Sequence, residues 1–147
     1  MGAWGNFVNR TLAFVLKYFD CEVPSALIQA EFKKQVQGLF HSVGVELERG
    51  AFREAIREIF QAIHRGNAFY DAEQPWKTRH TDLKKCRETI GNCIYLIANL
   101  AVLLHPFLPF SSEKIAKWLG VTFQWGEQEV SLKQLPSDIS ILFSRLE

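Results

Sequence analysis

The sequence of 147 residues is poor in cysteine, and the spacing of its cysteines excludes two common kinds of small domain. The three residues, Cys21, Cys86 and Cys93, are an odd number without a C-x-x-C pair, so neither a disulfide framework nor a zinc knuckle is indicated. Cys86 and Cys93 are too far apart on a predicted helix, about 10 Å, to bridge each other. We therefore expect free thiols and a reducing, cytoplasmic setting.

Signals for secretion or for insertion into a membrane are also lacking. The chain does not begin with a basic segment and an apolar stretch, and its longest apolar run, residues 94–104, falls short of the ~20 residues that span a bilayer. The composition, with 48% hydrophobic and 22% charged residues and no repeat, is that of a globular chain. We expect one domain with a substantial core and no membrane partner.

Catalytic signatures are absent as well. The sequence contains no nucleophile elbow, P-loop, G-x-G-x-x-G or H-E-x-x-H motif. Its histidines have no metal-ligand spacing, and we interpret His41 and His64 as ordinary helix-surface or boundary residues. No catalytic residue, metal site or cofactor is expected within this chain.

Hydrophobic residues recur at three- and four-residue intervals through most of the chain, which predicts helices. The predicted helices cover residues 4–19, 24–47, 52–70, 82–104 and 111–119. Pro24 is read as a first-turn proline, Asp82 or Thr81 and Ser111 as N-caps, and Pro106 as a stop. Gly66 falls inside the third helix, where glycine costs ~1 kcal/mol relative to alanine, so we predict a close approach between backbones or a local bend there.

These elements predict an all-α fold, a helical bundle of about five helices followed by a short irregular or extended C-terminal segment. The fourth helix is apolar almost all round in its second half, which favours a central position. Residues 1–120 would form the bundle, and residues 121–147 would form an extension that packs on it within a single domain. The end of this extension has one weak apolar patch, formed by Ile139, Ile141, Leu142 and Leu146.

The stretch GNAFYDAEQPWK, from Gly66 to Lys77, ends the third helical pattern at Pro75-Trp76. A tryptophan at a break between helices is either a core plug or a surface offered to a partner. The residues that follow carry a local net charge of +4, against +1 for the whole chain, from five cations and Asp82. The five cations are Lys77, Arg79, Lys84, Lys85 and Arg87. Such a run is either a solvated helix face or a contact for a polyanion, and an aromatic beside it can hold an unstacked base.

Asn6 and Arg10 are four residues apart on the first predicted helix, so they share a face. An amide offers a donor and an acceptor side by side, and a guanidinium offers a planar fork, which together suit base edges and phosphates. The alternative is that Asn6 caps the helix or faces water while Arg10 forms a surface ion pair. The spacing leaves both open.

Three segments resemble the anticodon-binding helical domain of methionyl-tRNA synthetases, which are class I aminoacyl-tRNA synthetases. They are GNFVNRTLAFVLKYFD, GNAFYDAEQPWK and LHPFLPFSSEKIAKWLG, in the family's order and over nearly the whole chain. The last segment is shared with sister synthetases, whereas the first two point to methionine. The resemblance implies that Asn6 and Arg10 contact the bases and backbone of a CAU anticodon and that Trp76 stacks on its first base. Asn67 and Pro75 would shape the loop, and the five cations would contact phosphates.

The resemblance also implies a larger parent enzyme, a methionine–tRNA ligase that uses ATP and for which zinc is a further candidate cofactor. Its catalytic domain, with the HIGH-type and KMSKS-type signatures, would belong to the same polypeptide and precede this module. The implied RNA partners are the initiator and elongator methionine tRNAs. Two alternatives stay open at this point. One is the corresponding domain of a leucine, isoleucine or valine enzyme, and the other is a helical protein-interaction module anchored by Trp76.

Overall fold

The computed structural model of the chain describes residues 2–131 and 133–136. Those residues contain six α-helices: α1 (Gly2–Tyr18), α2 (Ala30–Glu48), α3 (Phe52–Glu73), α4 (Pro75–Thr81), α5 (Leu83–Leu104) and α6 (Pro109–Leu119). An isolated antiparallel β-bridge joins Glu22 and Gln134. The predicted all-α bundle is confirmed, and α4 is the helix that the sequence pattern did not reveal.

α4 consists of the seven residues that follow the break predicted at Pro75-Trp76. Pro75 is its first residue, a position that proline favours because its fixed φ is already helical and no N–H is needed there. Seven residues are two turns, too few to show a hydrophobic period. The predicted break is therefore a corner between two helices.

Two of the predicted helix starts are wrong. α2 begins at Ala30 instead of Pro24, because Asn92 of α5 holds the preceding backbone in a non-helical form. The Asn92 side chain accepts a hydrogen bond from the Gln29 N–H at 2.9 Å and donates one to the Leu27 carbonyl at 3.3 Å. α6 has Leu108 as its N-cap, so Ser111 lies inside the helix, where its hydroxyl donates to the Leu108 carbonyl at 3.3 Å.

The signals predicted for the start of α5 and for the end of α6 are both confirmed. Asp82 caps α5, since its carboxylate accepts a hydrogen bond from the Lys85 N–H at 3.2 Å. Gly120 ends α6 in the left-handed conformation, with φ at 69°, as a glycine after a helix commonly does. In both cases the deciding interaction is local, which is why the sequence was sufficient.

α5 is the central helix, as its composition predicted. It contacts the other five helices, and every residue from Thr89 to Leu104 is buried. Its length and hydropathy alone would suit a membrane-spanning helix, but 89% of its most apolar window is buried inside the bundle. Packing against the neighbouring helices accounts for the apolar character of α5.

The chain after α6 is irregular between Val121 and Val130, as predicted, and it contacts α5 through a buried asparagine. Asn99 is fully buried, accepts from the Gln128 N–H at 2.8 Å and donates to the Gln128 carbonyl at 3.0 Å. Farther along, the N–H of the buried Leu135 donates to the Cys21 carbonyl at 2.8 Å. The apolar patch predicted at Ile139, Ile141, Leu142 and Leu146 lies outside the described residues.

Candidate functional site

The corner between α3 and α4 is formed by a single residue, Gln74. Its backbone is left-handed, with φ at 50° and ψ at 61°, and it ends α3 and precedes α4 at once. Its carbonyl accepts hydrogen bonds from the N–H groups of Lys77 and Thr78, at 2.9 and 3.1 Å. A left-handed residue other than glycine costs roughly 1–2 kcal/mol, so the bonds on both sides of this corner must hold it.

Trp76 lies directly after this corner and is 41% exposed, so it is not a core plug. Its ring centroid is 5.9 Å from that of the buried Tyr70, with 35° between the planes. Tyr70 belongs to α3 and Trp76 to α4, so the corner brings the two rings together. One part of the tryptophan is backed by protein, and the rest is open to solvent.

Arg10 of α1 is held on three sides by α3. Its Nη2 donates to the Asn67 carbonyl at 2.8 Å and to Asn67 Oδ1 at 2.9 Å, and its Nη1 donates to Asp71 Oδ1 at 2.8 Å. The guanidinium carbon lies 4.1 Å from the centre of the Tyr70 ring, which is a cation–π contact. The side chain is 24% exposed, so the guanidinium is fixed in orientation and still reaches the surface.

The resemblance implied that Asn67 shapes a loop, but in the structure Asn67 lies within α3 and connects it to α1. Its Nδ2 donates to the Ala3 carbonyl at 3.2 Å. Its Oδ1 also accepts a long hydrogen bond, 3.4 Å, from Nδ2 of the exposed Asn6. Asn67 thus contacts Asn6 and Arg10 together. Pro75, in contrast, does lie at the corner between α3 and α4, where it is the first residue of α4.

The three residues predicted to read the anticodon, Asn6, Arg10 and Trp76, therefore converge on one surface. Asn67 links Asn6 to Arg10, and Tyr70 links Arg10 to Trp76. We call these five residues the Arg10 surface. Sequence reasoning missed Tyr70 and Asp71, although a signal was available, because residues 67, 70 and 71 follow the i, i+3, i+4 spacing of one helix face.

A close approach of α1 to α3 makes these contacts possible. The fully buried ring of Phe7 lies against Gly66, where an added Cβ would come within 2.6 Å of the Phe7 Cζ. The predicted close approach at Gly66 is thus one of a ring to a helix rather than of two backbones. Phe7 follows Asn6 and Gly66 precedes Asn67. The packing of Phe7 on Gly66 therefore sets the distance between α1 and α3 at which the side chains of Asn6 and Asn67 meet.

Tyr70 is neutral at physiological pH. Burial raises its pKa to about 12, and the nearby Arg10 cation opposes that rise. A tyrosine in the unfolded chain ionises near pH 10. The folded chain therefore keeps this proton over a range in which the unfolded chain loses it.

Tyr70 should consequently contribute to alkaline unfolding. Its contribution to stability is complete below about pH 10 and is lost as the pH rises towards 12, because the unfolded chain then holds fewer protons than the folded one. We expect the Tyr70→Phe variant to lose less unfolding free energy over this range in urea titrations. Tyr95 has a pKa that is also raised, by burial and by Glu127, so the variant Tyr95→Phe should show the same kind of smaller alkaline loss. An undiminished alkaline loss in Tyr70→Phe would contradict the assignment.

The five cations after Trp76 have different surroundings. Lys77, Lys84, Lys85 and Arg87 are exposed, and Arg79 is partly buried. Lys85 Nζ forms an ion pair with Glu73 Oε2 at 3.3 Å, whereas Arg79 stacks on the Tyr18 ring with its guanidinium carbon 4.0 Å from the ring centre. The basic run therefore divides between α4 and α5 and does not form one uniform patch.

The described part of the chain holds no group of three or more His, Cys, Asp or Glu side chains placed to bind a metal ion. Its three cysteines are free thiols. The chemistry that the Arg10 surface offers is recognition, since it combines aromatic faces with oriented hydrogen-bond donors. That combination suits an unstacked base with its polar edge.

Comparisons with known proteins identify the family of the chain. A sequence model of the anticodon-binding domain of methionyl-tRNA ligase matches residues 24–142. The matched region includes Tyr70, Asp71, Trp76 and the basic run, while Asn6 and Arg10 precede it. Because the matched family is specific to methionine, the alternatives of a leucine, isoleucine or valine enzyme and of a protein-interaction module are wrong.

Curated relatives and solved structures give the same answer. The chain is 45% identical over 147 residues to a methionine–tRNA ligase of Bacillus cereus (strain G9842), with all of this chain and 27% of the relative covered. A methionine–tRNA ligase of Bacillus mycoides (strain KBAB4) is 46% identical over 148 residues, with the same coverage. The chain therefore spans about a quarter of the length of these relatives.

Among solved structures, the methionyl-tRNA synthetase of Mycobacterium tuberculosis has the same fold. Its apo form aligns with a TM-score of 0.79 at 23% identity, over 92% of this chain and 30% of that one. The form bound by methionyl-adenylate aligns with a TM-score of 0.80 at 25% identity, over the same shares. With the family match extending over most of its length, the chain belongs to the family of anticodon-binding domains of methionyl-tRNA ligases.

Proposed function

We propose that this chain reads the CAU anticodon of the initiator and elongator methionine tRNAs on behalf of a parent methionine–tRNA ligase. The observation that carries the proposal is the convergence of Asn6, Arg10 and Trp76 on the Arg10 surface. They come from α1 and α4, which are far apart in the sequence, and Asn67 and Tyr70 of α3 connect them. A surface that combines an aromatic face with polar readers is what an unstacked anticodon requires.

Trp76 provides the stacking face. Its half-exposed indole can receive the first anticodon base, and Tyr70 supports the ring from the protein side. Stacking of one base on an aromatic side chain contributes about 1–3 kcal/mol and is tolerant of base identity. Trp76 therefore supplies affinity, and the choice of bases falls to the neighbouring polar groups.

Arg10 and Asn6 provide the polar groups. Asn67 and Asp71 hold the Arg10 guanidinium plane at a fixed angle, which limits the base edges that can meet it. The Asp71 carboxylate, 61% exposed beside this cation, disfavours a phosphate at the same place and so favours a neutral base edge. Asn6 is exposed, and its long bond to Asn67 can be exchanged for a bond to a base.

The basic residues Lys77, Arg79, Lys84, Lys85 and Arg87 are proposed to contact the RNA backbone. Contacts of this kind add affinity without sequence preference, and they make binding sensitive to salt. Lys85 should contribute least, because its ion pair with Glu73 already satisfies part of its charge.

Replacement of Trp76 tests the proposal directly. Trp76→Ala should weaken binding of a CAU anticodon stem-loop by about 5- to 150-fold, because about 1–3 kcal/mol of stacking is removed. Trp76→Phe keeps an aromatic face and should recover most of the affinity. The measurement is fluorescence anisotropy with the CAU stem-loop and with one of altered anticodon. Equal binding of the two stem-loops by the unmutated chain would overturn the proposal of base reading.

The reaction itself belongs to the parent enzyme, of which this chain corresponds to about a quarter of the length of its relatives. We propose that the parent joins methionine to its tRNA at the expense of ATP in the cytoplasm. The presence of methionyl-adenylate in the structure of the Mycobacterium tuberculosis synthetase supports the use of ATP. Zinc is proposed as a further cofactor of the catalytic part.

Within the parent, this domain would hold the anticodon so that the distant acceptor end reaches the active site, and its protein partner would be the catalytic domain of the same polypeptide. We also propose the division into a bundle, residues 1–120, and an extension, residues 121–147, that packs on it. The contacts of Gln128 with Asn99 and of Leu135 with Cys21 support that division.

A further inference from the structure

Cations from three helices gather on two aromatic rings at the C-terminal end of α1. The guanidinium carbon of Arg79, from α4, lies 4.0 Å from the centre of the Tyr18 ring, and Nζ of Lys17 lies 5.1 Å from it. The guanidinium carbon of Arg87, from α5, lies 5.8 Å from the centre of the Phe19 ring. We call these five residues the Tyr18 cluster.

None of the three cations forms an ion pair within residues 2–131 and 133–136. Asp82, the one carboxylate of the basic run, caps α5 instead. The negative end of the α1 dipole and the aromatic faces stabilise the cations where they are. An arginine that stacks by its face keeps the N–H groups at its edge available, so the cluster presents oriented donors to an anion.

The Tyr18 cluster is aligned with the Arg10 surface along two helices. On α1, Lys17 follows Arg10 by two turns, or about 10 Å, and therefore projects from nearly the same face. The residue between them on this face is Ala13, which is exposed and too small to block a ligand. On α4, Arg79 follows Trp76 by about one turn. An RNA strand that leaves the Arg10 surface along α1 would therefore reach the Tyr18 cluster by passing over the exposed Ala13.

We propose that the Tyr18 cluster is a second RNA contact, which binds the phosphodiester backbone of the nucleotides next to the anticodon. This inference rests on the proposed function and adds to it Lys17 and the two aromatic rings. The cluster distinguishes Arg79 and Arg87 from the rest of the basic run, because the guanidinium of each lies over an aromatic ring. The contact selects RNA by charge and geometry and is indifferent to base sequence.

Two substitutions test the inference, Lys17→Ala and Arg79→Ala. Binding to the CAU stem-loop and to the altered stem-loop is measured by anisotropy between low and moderate salt. Each variant should bind both stem-loops more weakly by the same factor, about 3- to 10-fold at low salt. The negative slope of log K against log salt should become shallower by roughly 0.7–0.9, the value for one lost phosphate contact. Because both stem-loops lose the same factor, the preference for CAU should not change.

Two further variants complete the experiment, Lys117→Ala as a control and Tyr18→Leu as a test of the ring. Lys117→Ala removes an exposed lysine from α6, which among the helices contacts α5 alone, and should leave affinity and salt slope unchanged. Tyr18→Leu keeps all three cations but removes a ring, so affinity should fall while the salt slope stays close to that of the unmutated chain. Lys17 is exposed, so Lys17→Ala remains a valid test if Arg79→Ala lowers stability.

The outcomes separate this inference from the proposed function. If the unmutated chain shows no preference for CAU while both variants have smaller salt slopes, the proposed base reading fails and the backbone contact stands. If the preference is present and neither variant changes affinity or slope, the inference about the Tyr18 cluster is overturned. Loss of the CAU preference in either variant would also overturn it, because that result would assign base reading to the cluster.

Discussion

Replacement of Arg10 with alanine is expected to lower the affinity for a CAU stem-loop by about 10- to 200-fold and to remove most of the preference for that anticodon. A single hydrogen bond from a charged donor, which Arg10 can still make through the free N–H of its Nη1, contributes about 1.5–3 kcal/mol. The substitution also leaves Asp71 and the Asn67 carbonyl without the cation that they hold at 2.8 Å. The Arg10–Asp71 pair, neutral as a whole, is then replaced by the Asp71 carboxylate alone, which adds repulsion of the RNA to the lost contact.

Two companion variants separate geometry from charge at this position. Arg10→Lys keeps the charge but lacks the planar fork that meets Asn67, Asp71 and Tyr70, so it should regain little of the lost affinity. Adding Asp71→Ala to Arg10→Ala removes the exposed carboxylate and should recover part of the affinity. The single variant Asp71→Ala completes the double-mutant cycle that measures their coupling. Binding is followed by anisotropy, with urea unfolding as a check on stability. An unchanged anticodon preference in Arg10→Ala would remove Arg10 from the reading site.

Replacement of Gly66 with leucine is expected to lower the free energy of unfolding by about 3 kcal/mol, because overpacking a dense core is costly. A Cβ at this position would already lie 2.6 Å from Phe7 Cζ and 2.7 Å from Phe7 Cε2. The clash would push α1 away from α3 and lengthen the contacts of Asn6 and Arg10 with Asn67. RNA affinity should therefore fall together with stability, although the substitution removes no group that touches RNA.

The matched control for this variant is Gly38→Leu. Gly38 lies in α2 with nothing within 4 Å of an added Cβ, so leucine there should stabilise the helix by roughly 0.5–1 kcal/mol. Urea unfolding of the two variants gives the comparison, and RNA binding is measured at concentrations of denaturant where both are folded. Equal stability of Gly66→Leu and the unmutated chain would mean that the contact between Phe7 and Gly66 does not set the spacing of α1 and α3.

Much of the fold followed from the sequence because it depends on local patterns. The apolar stretch within α5 predicted its central position. Asp82 marks the start of α5 and Gly120 the end of α6, each through interactions with near neighbours. The true start of α2 was beyond sequence reasoning, since the backbone before Ala30 is held by Asn92, which belongs to a helix much later in the chain. α4 escaped because two turns contain no readable period.

The site divides in the same way. The spacing of Asn6 and Arg10 predicted that they share a face, and the structure agrees. Spacing along one helix cannot show which other helix that face meets, so the contacts with Asn67, Tyr70 and Asp71 were not foreseen. The exposure of Trp76 was equally undecided, because it depends on the angle at Gln74 and not on any pattern in the residues beside it.

The corner at Gln74 has a consequence for the entropy of binding. Because one residue separates α3 from α4, no flexible loop carries Trp76, and its ring is already confined beside Tyr70 before a ligand arrives. Immobilising a free side chain on binding commonly costs about 0.5–1.5 kcal/mol, and ordering a loop adds to that cost. Most of this loss of freedom occurs here when the chain folds. The short connection between the two helices therefore helps to set how much of the stacking energy remains available for affinity.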